Sequence, residues 1–370
     1  MRFFNSFSKH LGSAATVSLL ICSHSSQAFA QRGSSSIITG VGLVSSSKVS
    51  FVTNILDTSS NSSSKTTLKQ QQQFVHSLSS SRREMSTLPE AISVQPGTSP
   101  VESQQILNPI DNTCSVLVVG ATRGIGLEFV QSIIRRGATV VATYRKDEDT
   151  SSLTSPLRQL KDENPSSVYL LKMDVVDENS IRNAALELKS KMEQEEDGVN
   201  FKGLTHIIHS AGIYLPGTSF DGTARGPRKA APPVTKETMM RTFEINSVAP
   251  MLVAQNFVPL MRKRSDILLP VLSFLTSKVG SVDDNGSGGA YAYRSSKSAL
   301  NSIAKSLSID LAGDVSVILL HPGYVRTDMT SGAGLIDASE SVEGMLKAVE
   351  ATDATVGFRF VDYKACLIPW

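Results

Sequence analysis

The sequence has few of the residues that build disulfide scaffolds, metal clusters, membrane spans or nucleic-acid surfaces. Among 370 residues there are three cysteines, Cys22, Cys114 and Cys366, and no two of them have the spacing of a disulfide framework or a zinc site. No apolar run approaches the ~20 residues that cross a bilayer. The formal net charge is +2, and the part from Asp111 onward carries −2, so a basic nucleic-acid surface is not indicated. We therefore expect no metal, no membrane span and no nucleic-acid partner.

Acidic residues are nearly absent from the first 85 residues. This segment holds 23 serines and eight Lys or Arg, but only two acids, Asp57 and Glu84. Residues 1–30 have the order of a signal peptide: a basic start, a short apolar stretch at 11–22, and small residues around Phe29 before a cleavage point. The apolar stretch is too short for an anchor, so we predict a signal peptide over residues 1–30.

Residues 31–110 combine Ser and Thr with few charges and little apolar material. Residues 31–85 have the composition of a transit peptide, and residues 86–112 have the proline content of a linker. Such a segment buries too little apolar area to offset chain entropy, so we predict that it is disordered. A signal peptide followed by a transit peptide is similar to the bipartite leader of plastid proteins. The alternatives are a mitochondrial presequence, favoured by Arg82 and Arg83, and a disordered tail without an address.

From residue 111 to 370, short apolar runs alternate with charged helical patterns. The first repeat is a strand at 114–119, a glycine turn, a helix to Arg136 and a strand at 139–144, which makes a βαβ unit. Further patterns predict strands at 168–172, 204–209, 267–275 and 315–320, and helices at 178–194, 237–262 and 291–311. Strands that are apolar along their whole length are typical of parallel sheets covered on both faces. We predict a single α/β domain over residues 111–370, a doubly wound Rossmann-type parallel sheet of about seven strands with helices on both faces.

Three glycines, Gly120, Gly124 and Gly126, lie in the turn between the first strand and the first helix. A glycine turn at this place lets the backbone approach a pyrophosphate at the helix N-terminus. About 20 residues further on, NAD enzymes carry an acid for the ribose 2′-hydroxyl. This sequence has Arg145 there instead, and the loop itself holds Arg123. Two arginines and no acid favour a 2′-phosphate and hence NADP(H); the alternative is a pair of ordinary surface charges.

Tyr293 and Lys297 are four residues apart at the start of a predicted helix, so they share one helix face. An ammonium beside a phenol stabilises the phenolate and lowers a pKa that starts near ~10. The pair therefore predicts a tyrosine that exchanges a proton near neutral pH. Taken alone, a Tyr-x3-Lys pair is more often a surface feature.

These motifs, in this order, make residues 115–370 similar to the short-chain dehydrogenase/reductase family. The resemblance implies a catalytic set of Asn246, Ser277, Tyr293 and Lys297. It also implies a cofactor site made of Gly120, Thr122, Arg123, Gly124, Ile125, Gly126, Arg145, Asp174, Val175, Ala211, Gly212, Tyr293, Lys297, Pro322, Gly323, Val325 and Thr327.

Within the family, the sequence around Tyr293 and the ending from Phe360 to Trp370 resemble the Sniffer-type, or C-factor-like, carbonyl reductases. Two features depart from the family pattern. First, His209-Ser210 stands where two asparagines usually brace the central strands beside the cofactor. Second, Ser277 and Tyr293 are 16 residues apart, more than is usual. A Gly- and Asp-rich loop absorbs the extra length, and Thr276 is the alternative to Ser277.

The resemblance implies NADPH-dependent reduction of an aldehyde, ketone or quinone to an alcohol. Ser277 would hold the carbonyl oxygen and Tyr293 would donate the proton. Lys297 would lower the pKa of Tyr293 and hold the nicotinamide ribose, and Asn246 would anchor the water that returns the proton. The alternatives are a non-catalytic NADP-sensing scaffold and a dehydrogenase that oxidises a hydroxylated lipid or steroid. The partner is a small-molecule carbonyl substrate, and the resemblance allows a homodimer.

Overall fold

The computed structural model describes residues 106–370, except 148–154, 194–202, 226–228 and 266–267, and the backbone of three strands nearer the N-terminus. Those strands are β1 (Ala28–Gly33), β2 (Ser36–Ser45) and β3 (Lys48–Asp57), and they form an antiparallel sheet in chain order. They lie in a unit of their own, residues 1–90. The sequence analysis expected no strand here; the Val, Ile and Thr residues of this segment favour strands. The assignment to a signal and transit peptide stays a prediction, and most of the leader lies outside the described residues.

The second unit contains a parallel sheet of seven strands in the order β10-β9-β8-β7-β4-β5-β6. The strands are β4 (Ser115–Val119), β5 (Thr139–Tyr144), β6 (Val168–Lys172), β7 (His206–His209), β8 (Val271–Leu275), β9 (Ser316–His321) and β10 (Arg359–Asp362). The helices are α1 (Gly124–Arg135), α2 (Pro156–Glu163), α3 (Glu178–Glu193), α4 (Lys236–Phe243), α5 (Ala249–Phe257), α6 (Tyr291–Asp310) and α7 (Ala338–Glu350). The predicted doubly wound α/β fold is confirmed.

Helices cover both faces of this sheet because successive strand residues point in opposite directions. On β4, Val116 and Val118 pack in a core cluster with residues of α1 and α7, such as Phe129 and Val342. Leu117, one position along, packs in a second cluster with residues of α3, α5 and α6. The fully apolar strands in the sequence therefore mark burial on two sides.

The helix predicted at 237–262 is interrupted. Helix α4 leads into a π-helical turn, Glu244–Val248, then α5, then a 3₁₀ turn, Val258–Leu260. Pro250 has no N–H to donate to the carbonyl of Asn246, and Pro259 lies within the 3₁₀ turn, as the two prolines indicated. The π turn places Asn246 at the point where the helix changes its winding.

The folded unit begins before the predicted boundary at residue 111. Asn108 and Ile110 are buried, and the backbone N–H groups of Leu107 and Asn108 donate to the carbonyl of Glu350 at 2.9 and 2.8 Å. The Asn108 side-chain amide also donates to the carbonyl of Leu269, 3.0 Å away. Residues 107–110 thus belong to the domain and not to a linker, because their polar groups have buried partners.

Two absences hold for the part of the chain that the structure describes. None of its helices is both long and apolar enough to cross a membrane. It also contains no cluster of His, Cys, Asp and Glu side chains suited to a metal ion.

Candidate active site

The carboxyl ends of the parallel strands meet at one edge of the sheet, and most of the predicted cofactor residues follow a strand there. After β4, β5 and β6 come the glycine loop with Thr122, Arg123 and Ile125, then Arg145, then Asp174 and Val175. After β7, β8 and β9 come Ala211 and Gly212, then Ser277, then Pro322, Gly323, Val325 and Thr327.

The glycine loop is packed so tightly that two of its glycines have no room for a side chain. Gly120 has a φ of +82°, and a Cβ there would lie 2.9 Å from the backbone of Ala211. A Cβ on Gly126 would lie 1.9 Å from the carbonyl oxygen of Gly120. The N–H of Gly120 donates to the Thr143 hydroxyl at 2.9 Å, a contact that the sequence analysis did not foresee. The loop therefore presents bare backbone at the N-terminus of α1, where a pyrophosphate can approach.

The loop after β9 lies against the other side of the glycine loop. A Cβ placed on Gly124 would be 3.6 Å from Cγ2 of Thr327. Beside it, the guanidinium of Arg123 pairs with Asp328 at 3.5 Å, and both side chains are largely exposed. Two segments that the sequence predicted to bind the cofactor thus lie directly against each other.

Arg145 is exposed at the bend that follows β5. Since β4 and β5 are neighbours in the sheet, Arg123 and Arg145 belong to adjacent loops at the same edge. Asp174, which follows β6, is held in place by two local hydrogen bonds. Its N–H donates to the Ser180 hydroxyl at 2.9 Å, and its carboxylate accepts the N–H of Val176 at 3.2 Å.

Ser277 and Lys297 both approach Tyr293. The side chain of Ser277 lies near the Tyr293 hydroxyl, close enough to lower its pKa. The Nζ of Lys297 lies 5.8 Å from the centre of the Tyr293 ring and donates to the carbonyl of Leu275 at 2.9 Å. The hydroxyl of Thr276 donates instead to Asn301 at 2.6 Å, so Thr276 is occupied elsewhere. The long loop between Ser277 and Tyr293 does not prevent their contact.

The electrostatics of this pair differ from the prediction. Burial raises the pKa of Tyr293 to about 12, outweighing the hydrogen bond from Ser277 that lowers it. Burial also lowers the pKa of Lys297 to about 8. The expected lowering of the Tyr293 pKa by Lys297 is absent because the ammonium is held at the Leu275 carbonyl and desolvation is the larger effect. Tyr293 is therefore protonated at neutral pH.

Asn246 is completely buried and binds the segment that follows β7. Its Oδ1 accepts the N–H of Ile213 at 2.8 Å, and its Nδ2 donates to the Ile213 carbonyl at 2.9 Å and to the Ser296 hydroxyl at 3.1 Å. A Cβ on Gly212 would lie 3.3 Å from this Oδ1 and 3.5 Å from Nζ of Lys297. Asn246 thus fixes the β7 loop beside Lys297, while its predicted role towards a water stays a prediction.

His206 and His209 are packed in the sheet, in line with their apolar strand. Both are buried, and burial lowers the pKa of each to about 3. The Nδ1 of His206 lies 2.9 Å from the Thr205 hydroxyl, whereas neither Nε2 has a hydrogen-bond partner among the described residues. The ring centres of His209 and Phe274 are 6.2 Å apart, and the positive charge of Lys297 lowers the His209 pKa further. At the end of β7, where the family usually has an asparagine, this chain therefore has a buried, neutral imidazole.

Two contacts at the mouth of the site were not predicted. The ring of Tyr214 meets that of Tyr293 edge-on, with centroids 5.1 Å apart. At the chain's last residue, the carbonyl of Trp370 accepts the N–H of Asp283 at 2.7 Å and the hydroxyl of Ser281 at 3.1 Å. The Trp370 ring stacks on Phe358 at 5.4 Å. Both contacts join segments far apart in sequence, so no local pattern could announce them.

Comparison with known proteins identifies the arrangement. The sequence profile described as short chain dehydrogenase matches residues 115–335, which is more than half of the chain. The chain belongs to the short-chain dehydrogenase/reductase family. This short-chain dehydrogenase/reductase is accordingly an oxidoreductase, and all four positions of the predicted catalytic set are filled.

Individual relatives support the same family. The C-signal protein of Myxococcus xanthus is 41% identical over 133 residues, which are 36% of this chain and 78% of that protein. The NADPH-bound carbonyl reductase from chicken fatty liver is 28% identical, with a TM-score of 0.59 over 69% of this chain and 94% of the other. The carbonyl reductase Sniffer of D. melanogaster is 25% identical, with a TM-score of 0.58 over 69% and 99%. The carbonyl reductase branch expected from the sequence is confirmed.

Proposed function

We propose that this protein reduces an aldehyde, ketone or quinone to an alcohol, with NADPH as the reductant and Tyr293 as the proton donor. The observation that carries the proposal is a partly buried, protonated tyrosine whose hydroxyl lies near the side chain of Ser277, with the ammonium of Lys297 5.8 Å from the centre of its ring. The structural likeness to two carbonyl reductases supports the same chemistry.

The cofactor is NADP(H). The residues fit it, because Gly120 and Gly126 leave the backbone bare at the start of α1, and Arg123 and Arg145 offer cations at the same edge. When bound, NADPH supplies the hydride. The ammonium of Lys297, between the Leu275 carbonyl and the Gly212 segment, is placed to donate to a ribose hydroxyl.

The chain's own residues then handle the proton. Ser277 donates to the carbonyl oxygen and keeps the substrate oriented. Tyr293 gives its phenolic proton to that oxygen as negative charge develops there. Pro250 has no N–H to donate to the main-chain carbonyl of Asn246, and that carbonyl would hold the water that returns the proton.

Tyr293 is protonated at neutral pH, since burial raises its pKa to about 12. Reduction uses the phenol in this protonated form, whereas oxidation of an alcohol starts from the phenolate.

The test is NADPH oxidation by the full-length protein against aromatic aldehydes, diketones, quinones and lipid-derived aldehydes, with the alcohol product identified by mass. We expect turnover of at least one class, with NADPH preferred over NADH. Tight NADPH binding without turnover of any carbonyl would favour the scaffold; turnover only of alcohols with NADP⁺ would favour the oxidative enzyme.

We also propose that residues 1–85 direct the protein to plastids, with mitochondria as the alternative. The proposal is supported by the serine excess and the scarcity of acids in this segment. Residues 1–85 fused to a fluorescent reporter should place it in plastids; a signal spread through the cytosol would contradict any address.

A homodimer remains a further proposal. Helices α4 and α6 pack on each other and carry large exposed apolar side chains, Met240 at 63% and Ile309 at 62% exposure. Sedimentation should show twice the chain mass, and a charged residue at Ile309 should shift it to the monomer.

A further inference from the structure

A second concave surface lies next to Tyr293 and plays no part in the chemistry above. It is a cavity of about 340 Å³ between the loop that follows β7 and the turn before α6. Tyr214 lines it and touches Tyr293 edge-on, while Tyr291, two residues before Tyr293, forms its other wall. The cavity therefore borders the contact between Tyr214 and Tyr293.

Hydrogen bonds give the cavity a defined wall. The hydroxyl of Ser219 donates to the Ala231 carbonyl at 2.6 Å and accepts the N–H of Gly222 at 2.8 Å, so the loop folds back on itself. The N–H of Ala290 donates to the Thr218 carbonyl at 2.8 Å and ties this loop to the start of α6. Both walls are thus connected to the helix that holds the catalytic tyrosine.

The chemistry of the lining is aromatic and cationic. Tyr214, Phe220 and Tyr291 supply three rings, with Phe220 68% exposed. Arg225 and Lys229 supply two cations, and none of the described lining residues is acidic. The Arg225 guanidinium lies 5.8 Å from the centre of the Phe220 ring. Apolar rings with a few convergent polar groups are typical of a small-molecule site.

Asp221 orients one of these cations without lining the cavity. Its carboxylate pairs with Arg225 at i,i+4, which holds the guanidinium beside Phe220. A guanidinium has five N–H donors in a fork, so it can bind a second carboxylate as well. Among the described residues, Arg225 and Lys229 thus bring two cations to the cavity, and Asp221 places one acid beside it.

We infer that this cavity binds the anionic end of the substrate, so that the enzyme prefers carbonyl compounds with an aromatic body and a carboxylate. The rings of Tyr214 and Phe220 contact the body, and Arg225 and Lys229 bind the carboxylate. The inference rests on the proposed function, because it places the reacting carbonyl at Tyr293.

The experiment compares charged and neutral aldehydes of the same shape in the full-length protein. The pairs are 4-carboxybenzaldehyde and 4′-formylbiphenyl-4-carboxylate, each against its carboxamide. We expect kcat/KM to favour the carboxylate by about tenfold for at least one length, and the preference to fall as salt screens the charges. Arg225→Gln and Lys229→Gln should each lower the carboxylate-to-carboxamide ratio.

Arg158→Gln is the matched control. Arg158 pairs with Asp162 at i,i+4 on helix α2, with an exposure similar to that of Arg225, and does not line the cavity. Its removal should leave the ratio at the parental value. A ratio that falls equally in this control would mean that net charge, not the cavity, sets the preference, and the inference would be overturned.

A binding measurement separates this inference from the proposed function. Calorimetry with biphenyl-4-carboxylate and its carboxamide needs no turnover, and the carboxylate should bind about tenfold more tightly, less so in Arg225→Gln. Equal binding and equal turnover of both forms would overturn the inference while the reductase stands. Tighter carboxylate binding with no aldehyde reduced would preserve the anion site and refute the reductase.

Discussion

Replacing Asn246 with alanine tests whether this side chain holds the site together. Asn246→Ala removes three hydrogen bonds from a fully buried position, two to the backbone of Ile213 and one to Ser296. Each contributes about 0.5–1.5 kcal/mol net, so the loss is about 3 kcal/mol. For a domain of this size, that corresponds to a fall in Tm of about 6–12 °C.

Activity should fall as well, since the loop that Asn246 holds lies beside Nζ of Lys297 at Gly212. Once released, the loop no longer shapes the space around the ammonium that Leu275 holds, and we expect kcat/KM to drop by at least about tenfold. The control is Asn256→Ala, because Asn256 donates one bond, to the Leu252 carbonyl of its own helix. Calorimetry gives the Tm and steady-state kinetics give kcat/KM, and both are compared between the two variants. If Asn246→Ala melts and turns over like Asn256→Ala, the positioning role is refuted.

Three further predictions concern the chemistry, the cofactor and acid stability. Tyr293→Phe should lower kcat by about 10²–10⁴-fold with NADPH binding retained, while Tyr169→Phe, remote from the site, should not; near-normal turnover would rule out the proton donor. Arg145→Asp should abolish a preference of about 10²-fold for NADPH over NADH in kcat/KM, and a preserved preference would place the phosphate elsewhere. The pKa of His209 is lowered to about 3 in the folded state, so the unfolded chain binds the proton first and stability falls as pH drops from about 6.5 towards 3. His209→Asn should flatten that fall in denaturant unfolding, and an unchanged slope would contradict the burial argument.

Local patterns predicted the parts of the fold whose residues are close in sequence. The strand, glycine loop and helix around Gly120 and Gly126 were predictable because steric need for glycine is a property of one turn. The shift of Tyr293 to a higher pKa was not, because the sequence shows a lysine four residues away but not where its ammonium lies or how much water is excluded. Electrostatics depend on burial, which only the fold supplies.

The same limit applies to element boundaries. Strand β10 has four residues, too few for a period to be seen, and it pairs with β9 about 40 residues earlier. Asn108 was assigned to a linker because of nearby prolines, although its amide is buried against Leu269. The π turn at Asn246 follows from Pro250 only once the helix is known to continue past it.

The hydrogen bonds between Trp370 and the Ser281–Asp283 loop allow a residue outside the cavity to influence which substrates the cavity accepts. That loop continues to Tyr291, one wall of the cavity, and the position of Trp370 is set in turn by its aromatic stack with Phe358, just before the sheet's last strand. A change at Phe358 or Trp370 can therefore reshape the substrate entrance while every lining residue stays the same. Laboratory evolution of this enzyme towards new carbonyl compounds should accumulate substitutions at this pair as readily as in the pocket itself.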